Sequence, residues 1–264
     1  MSARIDPYEA IHRLNVEYTR SAQVIPGWDG RIEDDVLYLS ANIPFAAVNL
    51  VGSARFAAAT VDERIDEVVA WFRERGMPVG WWVCDRDSPA DLETRLQAKG
   101  FTLDEATAGM QGALAKTAAE PLPGGVEIER VRDTETYEVA CATMAAGFGG
   151  PPELGDVFAA MSVLGFDDAA PSRSYLARLE GEPVATSLGL LVDDVLGVFN
   201  VATLEHARRR GIGRAVTLAA MVDGAARGAR TAVLQSSEAG HHVYEELGFR
   251  DFGMYRLHVL NVDA

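Results

Sequence analysis

Residues 201–213, VATLEHARRRGIG, run an apolar strand into three consecutive arginines and then into two glycines that open a helix. No other stretch constrains the fold as tightly, because it demands a strand, a tight loop and a helix in succession. The first N–H groups of a helix have no partner inside it, and together with the helix dipole they form a site for an anion. A helix without such a role is usually sealed by a Ser, Thr, Asp or Asn cap. None of these occurs between Ala207 and Gly213. Gly211 and Gly213 let the backbone come close to whatever binds, so the segment reads as a phosphate cradle.

The charge distribution supports that reading. The chain carries a formal net charge of -15 with a pI near 4.7. A chain so acidic should repel nucleic acid and anionic lipid. Yet Arg208, Arg209, Arg210, Arg214, Arg227 and Arg230 crowd one segment whose only acid after Glu205 is Asp223. A basic island in an acidic chain suits a small polyanionic ligand; a solvated arginine face on an ordinary helix is the plainer alternative.

Downstream, the pattern gives a strand over residues 230–235, a helix over 238–247 and a strand over 254–260. Two motifs are therefore set in order: R-x-x-G-x-G at Arg208, Gly211 and Gly213, and Y-x-x-L-G-F at Tyr244, Leu247, Gly248 and Phe249. Each is weak alone; with the intervening strand and this spacing, the pair resembles the GCN5-related N-acetyltransferase (GNAT) family. The resemblance implies an acyltransferase that moves an acetyl group from acetyl-CoA to a primary amine of a small molecule or peptide. A nucleotide-binding alternative has no support, since neither G-x-x-x-x-G-K-S/T nor G-x-G-x-x-G surrounds Gly211. An acyl-CoA-binding sensor or scaffold that transfers nothing is the remaining alternative.

At 264 residues the chain suits two domains of moderate size. Pro- and Gly-rich TAAEPLPGG at residues 117–125 interrupts both helical and strand periodicity and marks a linker, giving domains over 1–120 and 121–264. In the second, residues 126–131 read as a strand and 134–146 and 152–164 as helices. Strands over 175–179 and 184–192 then lead into the strand before the arginine loop. That order is the family's. The first half carries a fainter echo, a helix over 61–75, a strand over 78–84, a helix over 90–98, then Lys99, Gly100 and Phe101. It lacks the glycine loop, and Thr60 with Glu63 reads as a capping box that closes the helix amides. The expected fold is therefore α+β with a mixed sheet. Two tandem acetyltransferase-like domains each have a mostly antiparallel sheet flanked by helices, the first degenerate and the second with splayed parallel central strands.

By the same resemblance, acetyl-CoA lies between those strands. Val201, Ala202 and Thr203 offer main-chain groups to pantetheine, and Arg208, Arg209, Arg210, Gly211, Ile212, Gly213 and Arg214 surround the pyrophosphate. Ser237 falls where relatives carry an Asn on the pantetheine arm. The N–H of Val201 is the candidate donor to the thioester oxyanion, Asn200 beside it could orient substrate or water, and Tyr244 would protonate the leaving thiolate. Glu238, His241, His206 and Glu205 are the candidates for a general base. The acceptor pocket is expected near residues 148–168, where Glu153, Asp156, Asp167 and Asp168 suit a cationic amine or are simply solvated. Cys84 and Cys141 read as buried small hydrophobes with no metal-ligand spacing, so no metal is expected. The start of the chain has no apolar signal core, and no apolar run reaches the roughly 18 residues of a membrane span. A cytoplasmic protein, monomer or homodimer, is the expectation.

Overall fold

The computed structural model describes residues 5–261. Packing divides them into two compact units. One comprises the chain up to Gly109 together with the return segment from Phe252; the other comprises Met110–Asp251.

In the first unit, α1 (Pro7–Ala22) begins where the Asp6 carboxylate accepts from the N–H groups of Tyr8 and Glu9, with Pro7 preset for the first turn. Strands β1 (Asp29–Ile32), β2 (Leu37–Ser40) and β3 (Asn49–Gly52) follow, then α2 (Val61–Arg73), β4 (Val79–Cys84), α3 (Leu92–Ala98) and β5 (Thr102–Ala113). The returning strand β11 (Arg250–Leu260) inserts between β4 and β5 to give the order β1-β2-β3-β4-β11-β5. β3 and β4 are parallel, joined through α2, whereas β1–β2, β2–β3 and β4–β11 are antiparallel. Helix α2 buries Val61, Ile65, Val68, Val69 and Phe72, spaced at three and four residues, onto a core that includes Trp81. Of the adjacent tryptophans, Trp81 is fully buried against Phe56 and Phe101 at ring distances of 6.1 and 5.9 Å.

The capping box expected at Thr60 and Glu63 does not form. Thr60 has ψ near 0 instead of the extended value of a capping residue, and its hydroxyl donates back to the Ala57 carbonyl at 3.5 Å. No side chain caps α2. The acids Asp62 and Glu63 still occupy its first turn and disfavour an anion there.

The second unit starts with the end of β5 and continues through β6 (Val126–Arg130), α4 (Thr134–Gly147) and α5 (Pro152–Ala159), which tightens into a 3-10 turn at Ala160–Leu164 and stops at Gly165 with φ of 81°. Then come β7 (Ser172–Leu179), β8 (Glu182–Val192), β9 (Val195–Thr203), α6 (Ile212–Ala226), β10 (Thr231–Ser236) and α7 (Glu238–Glu246). The strand order is β5-β10-β9-β8-β7-β6. β6 to β9 are antiparallel neighbours, and β9 and β10, joined through α6, are parallel. Helix α6 seals one face with Ile212, Val216 and Ala220 packed on Val126, Tyr175, Ala177 and Ala185.

The sequence boundary at residue 121 and this division do not coincide. β5 is twelve residues long, and its last residues belong to the second unit while the rest belong to the first. Sheet pairing, not the Pro- and Gly-rich segment, sets where packing changes over. The proline-rich segment lies wholly inside the second unit.

Candidate functional site

The site grows from what happens to β9. Its parallel pairing with β10 covers Val195, Leu196 and Gly197 against Thr231, Ala232 and Val233. The register ends there, and residues 198–203 of β9 and 234–236 of β10 continue as strand beyond it. On the other edge of β9 the register against β8 shifts: Thr186 pairs with Ala202 and Leu188 with Phe199, leaving Asn200 and Val201 opposite the single residue Ser187. Asn200 takes φ of 52° at this bulge, a conformation that Asn tolerates better than most residues. The Thr186 hydroxyl donates to the Asn200 carbonyl at 2.9 Å, and the Ser187 hydroxyl donates to the Val216 carbonyl on α6 at 2.7 Å. A bulge breaks the ladder locally and re-aims backbone groups. It falls at the residues read from sequence as oxyanion donor and orienting amide.

Beyond Thr203 the loop is shaped by its own arginine. Arg208 Nε donates to the Thr203 carbonyl and one of its terminal nitrogens to the Gly147 carbonyl, each at 3.0 Å. It therefore holds the loop to the end of α4. That end comes close to β9, since a Cβ on Gly147 would sit 2.8 Å from the Ala202 Cβ. Arg209 and Gly211 take positive φ, 63° and 75°, and carry the chain into α6. No side chain caps α6 and no acid lies in its first turn. A Cβ on Gly213 would sit 3.2 Å from the Thr203 hydroxyl, a tight approach that glycine avoids. The Ile212 side chain is buried, so only its backbone is available to a ligand. Arg209 and Arg210 are exposed. Arg214 is held in a two-pronged ion pair by Glu120 from the proline-rich segment, which pulls the Glu120 carboxyl below its ordinary range.

On α7, Ser237 is the cap: its hydroxyl accepts from the Gly240 N–H at 3.3 Å. Tyr244 is buried with its ring edge-to-face on Phe249 at 6.0 Å, and burial pushes its phenol up to about 12. Among the candidate bases, His241 is engaged on α7's outer side, with Nε2 2.8 Å from the Asp251 carboxylate and Nδ1 3.7 Å from Glu245. Glu205, His206 and Glu238 are exposed.

Against Asn200 lies an open pocket of about 270 Å3, lined by Tyr137, Cys141 and Met144 of α4 and by Thr186 and Leu188 of β8. A second, of about 340 Å3, shares Tyr137, Ser174 and Leu188 and extends toward Met161, Leu164 and Phe166. Two of the acids expected to favour a cation there are otherwise occupied. Asp167 accepts from the N–H groups of Ala169 and Ala170, both at 2.8 Å, and Asp168 pairs with Arg130. Burial raises the Cys141 thiol to about 12.

Sequence reasoning did not single out Thr186, Ser187, Gly147, Glu120 or the pocket residues of α4. An Asn inside an otherwise apolar strand was the available signal for the bulge.

Comparison with known proteins agrees with this geometry. Residues 142–249 match the family model described as Acetyltransferase (GNAT) family. A GCN5-related N-acetyltransferase from Kribbella flavida superposes with a TM-score of 0.70 at 18% identity over 97% of this chain and 96% of its own. One from Sphaerobacter thermophilus gives 0.65 at 16% identity over 98% and 96%. A tandem GNAT protein from the clavulanic acid biosynthesis pathway gives 0.59 at 11% identity over 97% and 96%. No curated protein matches the sequence. At these identities the structures speak to the fold, and the family match covers the strands and loop just described. Residues 142–249 thus match the acetyltransferase (GNAT) family model, and the chain shares its fold over 97% of its length with a GCN5-related N-acetyltransferase.

Proposed function

We propose that the second unit binds acetyl-CoA and passes its acetyl group directly to a primary amine. The observation that carries this reading is the uncapped start of α6, reached from the stretch of β9 that continues past its pairing with β10. The amides of residues 209–214 would receive the pyrophosphate, with Arg209 and Arg210 free to add charge-assisted bonds. Pantetheine would lie along that stretch and pair with the backbone of Val201, Ala202 and Thr203. At the bulge, the Val201 N–H would meet the thioester oxygen; one such donor is worth about 3 kcal/mol in the transition state.

Direct transfer fits the thiol chemistry. Cys141 lines the pocket, but its raised pKa leaves almost no thiolate at neutral pH, so an acyl-cysteine intermediate has no nucleophile there. Tyr244 keeps its proton throughout the neutral range and can give it to the departing thiolate. Arg208 and Ser237 act differently from the simplest carry-over: Arg208 secures the loop through carbonyls, and Ser237 caps α7. The first unit repeats the β-α-β crossover, at β3-α2-β4, without an arginine-glycine loop, and we read it as a copy that binds no cofactor.

The test is thiol release from acetyl-CoA in the presence of an amine panel, followed by mass spectrometry of the acceptor. An acetylated amine with no acetylated protein is expected. Binding of acetyl-CoA without release on any amine would favour a sensor instead.

A further inference from the structure

The pocket against Asn200 differs from what a polyamine or an amino sugar would need. Its walls are the ring of Tyr137, the Cys141 thiol, Met144, Leu188, the Thr186 hydroxyl and the Asn200 amide. None of these side chains carries a charge. Thr186 is already spent on the Asn200 carbonyl. None is a proton acceptor at neutral pH either, because phenol and thiol hold their protons and an amide takes none. His241, the one imidazole on α7 that shares a helix face with Tyr244, is turned to Asp251 and Glu245. An ammonium entering this pocket would lose water without gaining a counter-ion, and nothing on the walls would deprotonate it.

Resting on the acetyl-transfer reading, we propose that the acceptor is a weakly basic primary amine, of the arylamine class, whose apolar body lies against the uncharged wall of this open pocket. Such an amine is already neutral at the working pH and needs no base before attack. Its nitrogen lone pair forms the C–N bond to the thioester carbon, and the C–S bond breaks. The sulfur takes the Tyr244 proton, and the nitrogen, acidic once bonded to carbon, loses one proton to water. That proton restores the phenol.

The experiment compares p-toluidine, benzylamine and spermidine as acceptors from pH 6 to 9, following thiol release, with acetyl-CoA affinity measured separately by calorimetry. We expect kcat/KM for p-toluidine to exceed that for benzylamine at least about tenfold at pH 7 and to stay flat across the range. Benzylamine should rise in proportion to its free-base fraction. Ala140 of α4 and Ser174 of β7 also line this pocket; Ala140→Leu adds bulk there and should raise the KM for p-toluidine about tenfold or more while leaving acetyl-CoA affinity unchanged, and Ser174→Val does the same from the sheet side if the helix variant fails to fold. Equal or faster turnover of benzylamine or spermidine at pH 7 would overturn the inference and leave acetyl transfer standing. Unchanged KM in both filled variants would also overturn it. Bound acetyl-CoA with no thiol release on any of the three would instead count against the transferase reading.

Discussion

At the scale of single residues, the account turns on where protons and charges are held. Desolvation alone raises the Tyr244 phenol to about 12, so it remains a proton donor from acid to mildly alkaline pH. Tyr244→Phe should lower kcat about a hundredfold with acetyl-CoA affinity unchanged, read by steady-state kinetics beside calorimetry; an undiminished kcat would remove Tyr244 from the mechanism. Glu120 occupies Arg214, one of the cations beside the uncapped helix start. Both side chains are partly exposed, so water and salt screen the pair and it is weak. Glu120→Ala should therefore tighten acetyl-CoA binding about two- to fivefold in calorimetry, and the gain should shrink with added salt.

Asp87 gives a pH-dependent prediction. Burial raises its carboxyl to about 6, against hydrogen bonds from the Cys84 N–H and thiol that pull the other way. Between the ordinary carboxylate pKa near 4 and its folded value, the folded state binds the proton that the unfolded state has lost. Stability therefore falls as pH rises through this window. The cost is complete above about pH 6 and absent below about pH 4, on the order of 3 kcal/mol. Asp87→Asn, which still accepts from Cys84, should raise Tm at pH 7.5 and leave it unchanged near pH 4. Equal effects at both pH values would contradict the assignment.

At the scale of elements, what was legible in the sequence is what local periodicity encodes. The strand, loop and helix around residues 201–213, the helix ending at Gly248 and the hairpin strands β7 and β8 all form where the pattern puts them, with ends moved by a few residues. The bulge was not legible, because it depends on how β8 registers against β9; only the presence of Asn200 in an apolar strand hinted at it. The Thr60 box failed for a similar reason: its motif is correct, but the preceding turn draws the hydroxyl to Ala57. The role of Arg208 also came from tertiary approach, since the carbonyl of Gly147 lies sixty-one residues away in sequence. Within the loop, Gly211 has φ of 75° and Gly213 abuts Thr203. Gly213→Val should displace the β9 end and abolish acetyl-CoA binding, with near-native circular dichroism; retained binding would mean that the close approach is dispensable.

At the scale of the whole molecule, two strands, β5 and β11, run across the division between the units. β5 ends inside the second unit, where Leu114 donates to the Arg230 carbonyl at 2.9 Å, and β11 begins there before returning to the first. A chain cut before residue 121 would leave the β10 edge unpaired and should show a much lower Tm or aggregate, although the motifs all lie beyond the cut. Among the described residues, no helix is long and apolar enough to cross a membrane. The strongly acidic composition makes the arginine loop a local exception.

The central claim is that the uncapped start of α6 holds acetyl-CoA, and calorimetric titration tests it most directly, run on the unaltered protein and on a variant carrying Arg209→Glu and Gly211→Asp. The account predicts saturable 1:1 binding to the first and none to the second, with both folded by circular dichroism. Equal binding by the two, or no binding by the unaltered protein, would contradict it.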